Sequence, residues 1–118
     1  MNADRNFVHT LCGHLRAHHA RVVPRSDRLL ELQVRAAVAR ARRRGLTLQP
    51  KIAIYVSLMF EIAPDFDDHD EIARVLYRTG STPDIQIDYL PALIREPDWA
   101  SAKAGGGPRA WARVLGRA

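Results

Sequence analysis

Cysteine occurs once in this chain, at Cys12, so an internal disulfide is excluded and zinc-finger spacing is absent. Long apolar runs are missing as well, and nothing approaches the ~20 residues that cross a bilayer. The opening residues MNADRNF place an acid where a signal peptide would carry a basic start and an apolar segment. A soluble, cytoplasmic protein with no membrane partner is therefore the expectation. No nucleophile elbow, phosphate loop or glycine-rich dinucleotide fingerprint is present. Ser57 falls inside a helical stretch, and Glu61 stands alone at its end. The chain is expected not to be an enzyme and to need no cofactor. Acids are scarce in the first part, where residues 1–49 hold ten arginines against three acids. Residues 50–100 reverse the balance, with four bases against ten acids, and the remainder adds four bases and no acid. Such a split implies a dipolar surface that can meet acidic and basic partners, a second copy included.

What is present is a 118-residue chain, 47% apolar, long enough for one cored domain. Its organising stretch is Gly45 to Asp68. There Ile52, Tyr55, Val56, Met59, Phe60 and Ala63 recur at steps of three and four, on one face of a helix. Ile54 and Leu58 widen that face, so this helix is expected to be central. Thr47 is the expected N-cap, with Pro50 in the first turn and Pro64 at the end. Before it, a first helix is expected from about Asp4 to about Arg21, burying Phe7, Leu11 and Leu15. A second starts at Ser26 or Asp27 and reaches Arg44, with Gly45 as its left-handed terminator. Its apolar face is Leu30, Val34, Ala37, Val38 and Ala41, and the short Gly-Leu-Thr link makes helix three its antiparallel neighbour.

Beyond Pro64, Asp68 and Glu71 have capping-box spacing for a fourth helix that runs to about Arg78 and is stopped by Gly80. Thr82 and Pro83 start a fifth, with Ile85, Tyr89, Leu90, Leu93 and Ile94 as its apolar face and a break at Pro91. Glu96-Pro97 is expected to end the ordered part. The fold class is thus all-α, a compact bundle of about five helices around a helix 2–helix 3 hairpin. Residues 1–100 form its single domain, and residues 101–118 a flexible basic tail. Trp111, Val114 and Leu115 have the spacing of a helix that could fold on a partner, although incidental apolar residues in a disordered end are the favoured reading.

Three clusters invite chemistry. His14 and His18 lie four apart, the spacing of a two-histidine metal site, with His9, Cys12 and His19 nearby. A third ligand is lacking, so no metal is expected. The acids from Asp65 to Glu71 lack the alternation and glycine of a calcium loop and fit a helix start instead. Arg28, Arg35 and Arg42 recur at sevens and form a basic stripe. The lack of interleaved aromatics and the acidic second half disfavour nucleic acid. A protein partner remains. Arg35, Arg42, Arg43, Leu46, Leu48, Asp65, Asp67 and Tyr77 are the expected contact residues, in a groove of apolar residues left over from the core that also includes Leu29.

One resemblance bears on the partner. Phe7, HLRAHH from His14, ARARRRGLT from Ala39, IYVSLMFEIAPDFDDHDEIARVL from Ile54 and IQIDYL from Ile85 follow one another in the order of a known family. That family comprises small helical proteins encoded among bacterial type VI secretion effector and spike genes, and the resemblance covers roughly residues 7–95. Pro64 stands where the family often has glycine, and the aromatic that commonly follows the acidic turn is missing. The resemblance implies a non-catalytic adaptor or chaperone acting on a secreted effector or spike component. An immunity protein that neutralises a cognate toxin is the alternative.

Overall fold

The computed structural model describes residues 2–106 and 108–117, and among these the secondary structure is entirely helical. Helix α1 (Asn2–His18) buries Val8, Leu11 and Leu15 and stops three residues before its expected end. Arg16 explains the tight turn that follows. Its guanidinium donates to the Pro24 and Arg25 carbonyls at 3.1 Å each and pairs with Asp27 at 2.6 Å. This clamps the end of α1 to the start of α2 (Asp27–Arg43). Ser26 caps α2 by accepting the Leu29 N–H at 3.1 Å, and Gly45 leaves it at φ 99°, a conformation that favours glycine.

Helix α3 (Gln49–Glu61) packs on α2 and buries Ile52, Tyr55, Val56, Met59 and Phe60. The centre of the bundle is shared by α2 and α3. Helix α2 packs against α1, α3 and a C-terminal helix α8 (Pro108–Arg117), and α3 also meets α1 and the 3-10 turn Ile87–Tyr89. The alanines Ala36, Ala37 and Ala41 are buried, so those neighbours approach closely. Ile54 on α3 faces outward instead of widening the core.

The expected capping box at Asp68 is not formed. Phe66–Asp68 is a single 3-10 turn, and α4 (Asp70–Leu76) starts after His69 without a side-chain cap. Asp67 and Asp68 are drawn to arginines of the α2 end, and these tertiary ion pairs override the local motif. The expected fifth helix is broken, as Pro91 requires. It runs as α5 (Pro83–Gln86), a 3-10 turn Ile87–Tyr89 and α6 (Leu90–Leu93). Its buried side is Gln86, Ile87, Leu90 and Ile94, whereas Ile85, Tyr89 and Leu93 of the expected face point to solvent.

Order does not end at Glu96-Pro97. Pro97 occupies the first turn of α7 (Glu96–Ala104), a position that suits proline. Residues 108–117, which the sequence assigns to a flexible tail, are helix α8, and it packs within the chain. Ala110 and Val114 are buried, Trp111 lies on Phe60 with ring centroids 4.7 Å apart, and Arg113 pairs with Asp65 at 3.0 Å. Among the described residues the helical segments thus outnumber the expected five, although the class is all-α as read.

Candidate functional site

Asp67 is the best-connected polar side chain in the interior. Pro64 ends the α3 region, and the 3-10 turn then tucks Phe66 against Tyr55, with ring centroids 5.1 Å apart. This places the Asp67 carboxylate under the end of α2, with no exposed surface. Arg40 donates from Nη2 to Asp67 Oδ1 at 3.0 Å and from Nε to the Tyr55 hydroxyl at 3.0 Å. Tyr55 in turn donates to Asp67 Oδ2 at 2.8 Å, and Tyr77 donates to the same oxygen from α4's C-terminal end. Arg44 stands 3.8 Å from Asp67 and pairs with Asp68 at 3.2 Å. One carboxylate therefore ties α2, α3 and α4 together.

The electrostatics follow from that placement. Burial opposes the Arg40 charge, but the facing Asp67 carboxylate and Tyr55 outweigh it and raise the guanidinium pKa further. Arg44 is raised by the same balance of burial against Asp67. Burial first, and then the Asp67 carboxylate, hold Tyr55 and Tyr77 above the ordinary tyrosine range. Both phenols therefore stay protonated donors. Both Asp67 oxygens are already accepting hydrogen bonds, and Arg40 is almost as deeply buried as its partner. The arrangement acts as a clamp between helices.

The residues expected to touch a partner divide accordingly. Asp67 and Leu46 are buried, so neither is available to a partner. Tyr77 is half-buried, with its hydroxyl committed to Asp67. Asp65 is held by Arg113. Arg35 pairs with Glu31 at 2.9 Å and Arg42 with Asp4 at 2.7 Å, and both stay accessible. Arg43 and Leu48 are exposed. The expected groove of leftover core residues is therefore not assembled. Part of the charge split is met within the molecule, where Arg40 and Arg44 meet Asp67 and Asp68, and Arg113 meets Asp65.

A different apolar surface takes the groove's place. Ile85, Tyr89 and Leu93 follow one another at steps of four along α5, the 3-10 turn and α6, each more than half exposed. Leu48, equally exposed, lies across a shallow groove of about 360 Å³ that it shares with Ile85 and Tyr89. Asp84 sets this geometry. Its carboxylate accepts the Thr47 N–H at 3.0 Å, the Leu48 N–H at 3.4 Å and the Thr47 hydroxyl. The Thr47–Leu48 segment that leads into α3 is thus tied to α5, and Lys51 with Asp88 repeats the link one turn on. Burial works against the Asp84 charge, but the Thr47 and Leu48 donors and Lys51 lower its pKa. Sequence reasoning put Ile85, Tyr89 and Leu93 on the core side. Leu90 and Ile94 of the same expected face are buried, and the signal that could have separated the two sets is Ile87, which completes an i, i+3, i+7 series with them.

The histidine rings do gather. His14 lies 4.7 Å from His18 and 5.7 Å from His19 by ring centroid, and His19 Nδ1 is 3.6 Å from Glu61. Among the described residues no three His, Cys, Asp or Glu side chains are placed to hold a metal ion. Cys12 is half-buried, and burial followed by the Glu31 charge raises its thiol pKa, which makes a poor nucleophile. No helix among the described residues is long and apolar enough to cross a membrane. Compared with protein-family models, curated proteins and solved structures, the chain matches none.

Proposed function

We propose that the chain is a non-catalytic protein-binding accessory module, of the adaptor or chaperone kind, serving a type VI secretion effector or spike component. The observation that carries the binding role is the outward row Ile85, Tyr89 and Leu93 with Leu48 beside it. Scattered exposed leucines are ordinary, whereas large apolar side chains at successive turns form a patch suited to a partner. Tyrosine in such a row suits an interface, being rigid and amphipathic. Support for the non-catalytic part of the reading is that Asp67, Arg40 and Tyr55 are buried and hydrogen-bonded to one another. The secretion setting rests on the resemblance of residues 7–95 to the small helical proteins of effector clusters.

Co-expression with the products of neighbouring genes, followed by co-purification, tests the reading. A stable complex that Ile85→Glu and Leu93→Glu abolish is the expected result. Failure of every neighbouring product to bind would remove the proposal. An adaptor further predicts lost effector secretion with intact self-protection when the gene is deleted. Rescue of toxin-poisoned cells with secretion unaffected would assign the immunity role instead.

A further inference from the structure

A second surface sits between the first turns of α1 and the middle of α2 and shares no residue with the apolar row. It is a cleft of about 330 Å³ to which Arg35, Val38, Ala39 and Arg42 contribute from α2, and Asp4, Arg5 and Val8 from α1. The four α2 residues fall at i, i+3, i+4 and i+7, one face over two turns. Three guanidiniums stand around this cleft against one carboxylate. Val8 and Val38 form an apolar floor. Arg5 has no ion pair among the described residues, and Arg35 and Arg42 hold Glu31 and Asp4 only through exposed pairs. Such pairs contribute little and exchange readily with a ligand's acids.

We propose that this cleft takes an acidic amphipathic helix from a protein partner. Arg35 and Arg42 stand about 10 Å apart along their helix axis, given ~1.5 Å of rise per residue. A helix with carboxylates at i and i+7 repeats that spacing, and apolar side chains at i+3 and i+4 then meet Val8, Val38 and Ala39. Both guanidiniums already hold carboxylates, Arg35 that of Glu31 outside the cleft lining and Arg42 that of Asp4 within it, at 2.9 and 2.7 Å. A nucleic-acid backbone would match the charge, but the apolar floor offers it nothing, and no aromatic side chain lines the cleft for base stacking. The inference rests on the protein-binding reading and names the partner chemistry of a second face.

The test uses a fluorescein-labelled synthetic helix with glutamates at i and i+7 and leucines at i+3 and i+4, followed by anisotropy. Arg35→Glu with Arg42→Glu should weaken binding at least about tenfold, and the milder Arg35→Gln with Arg42→Gln by less. The same peptide carrying lysines for glutamates should bind the doubly reversed variant and not the wild type. Arg109→Glu, a charge reversal on the exposed side of α8, should leave binding unchanged. Absence of binding, an equal loss with Arg109→Glu, or failure of the lysine peptide to rescue would overturn the proposal. Tighter, steeply salt-dependent binding of a DNA oligonucleotide would overturn it in favour of nucleic acid. If the peptide fails while a partner is still captured through Ile85 and Leu93, this inference falls and the accessory role stands.

Discussion

Asp67 is the residue on which three helices converge, and its energetics are those of a buried ion pair. Removing one member of such a pair strands the other charge, at a cost of about 3–5 kcal/mol. Asp67→Ala should therefore lower unfolding free energy by that order in urea, and a loss below about 1 kcal/mol would contradict the clamp. Tyr55→Phe should cost about 1–3 kcal/mol, because Asp67 and Arg40 each lose a buried partner. The phenols also give the clamp an alkaline signature. A group whose folded-state pKa is raised keeps its stabilising effect below the unfolded value, here 10.0. As the pH rises beyond that value, the unfolded chain loses its phenol protons while the folded chain retains them, and stability falls. With Tyr89→Phe as background, phenolate absorbance should develop only as helicity is lost. Phenolate forming in the intact fold would contradict the buried donors.

At the scale of elements, local signals were legible and long-range ones were not. Ser26, Gly45 and Thr82 act where their residue types predict, because caps and left-handed turns depend on a few adjacent residues. Thr47 does not cap α3. Its backbone N–H is instead held by Asp84 from thirty-seven residues away, and no local spacing encodes that. The Asp67–Asp68 pair resembles a helix start, yet a buried guanidinium attracts it more strongly than a free N-terminus. The segment after Pro83 carries two apolar sets, and only the packing of α4 and α6 selects the buried one.

Two predictions belong at this scale. Asp84→Ala should cost about 1 kcal/mol, the usual net value of a lost hydrogen-bonded link, and loosen the segment that leads into α3. The lowered Asp84 pKa makes this contribution present above the unfolded value of 3.8 and lost as pH falls through the lower folded value. Asp84→Asn should flatten that acid-limb loss, and an unchanged acid limb would contradict the Asp84–Thr47 link. At Gly106 an added Cβ would stand 2.7 Å from the Ala63 Cβ. Gly106→Ala should therefore cost about 1–3 kcal/mol by overpacking, read from its urea unfolding, and an unchanged unfolding free energy would contradict that close approach.

For the whole molecule, the division between inside and outside was only half visible in the sequence. The all-α class followed from periodicity, and the basic and acidic parts of the chain were plain. Their internal pairing was not, because Arg40 and Arg44 look like any helix-end arginines until Asp67 and Asp68 are brought beneath them. With Arg40 and Asp67 enclosed, the surface carries an apolar row and an arginine cleft. Ile85→Glu and Leu93→Glu should change stability by no more than about 0.5 kcal/mol, since both side chains are exposed. Clear destabilisation of either variant in urea would show that the row belongs to the core.

Hydrogen exchange on the complex with the co-purified partner addresses the central claim most directly. The account predicts new protection over residues 83–94 and the start of α3, with the amides around Arg40, Asp67 and Tyr77 exchanging as slowly as in the free protein. Protection confined to other surfaces, or faster exchange around Asp67 as the clamp opens to receive a ligand, would contradict it.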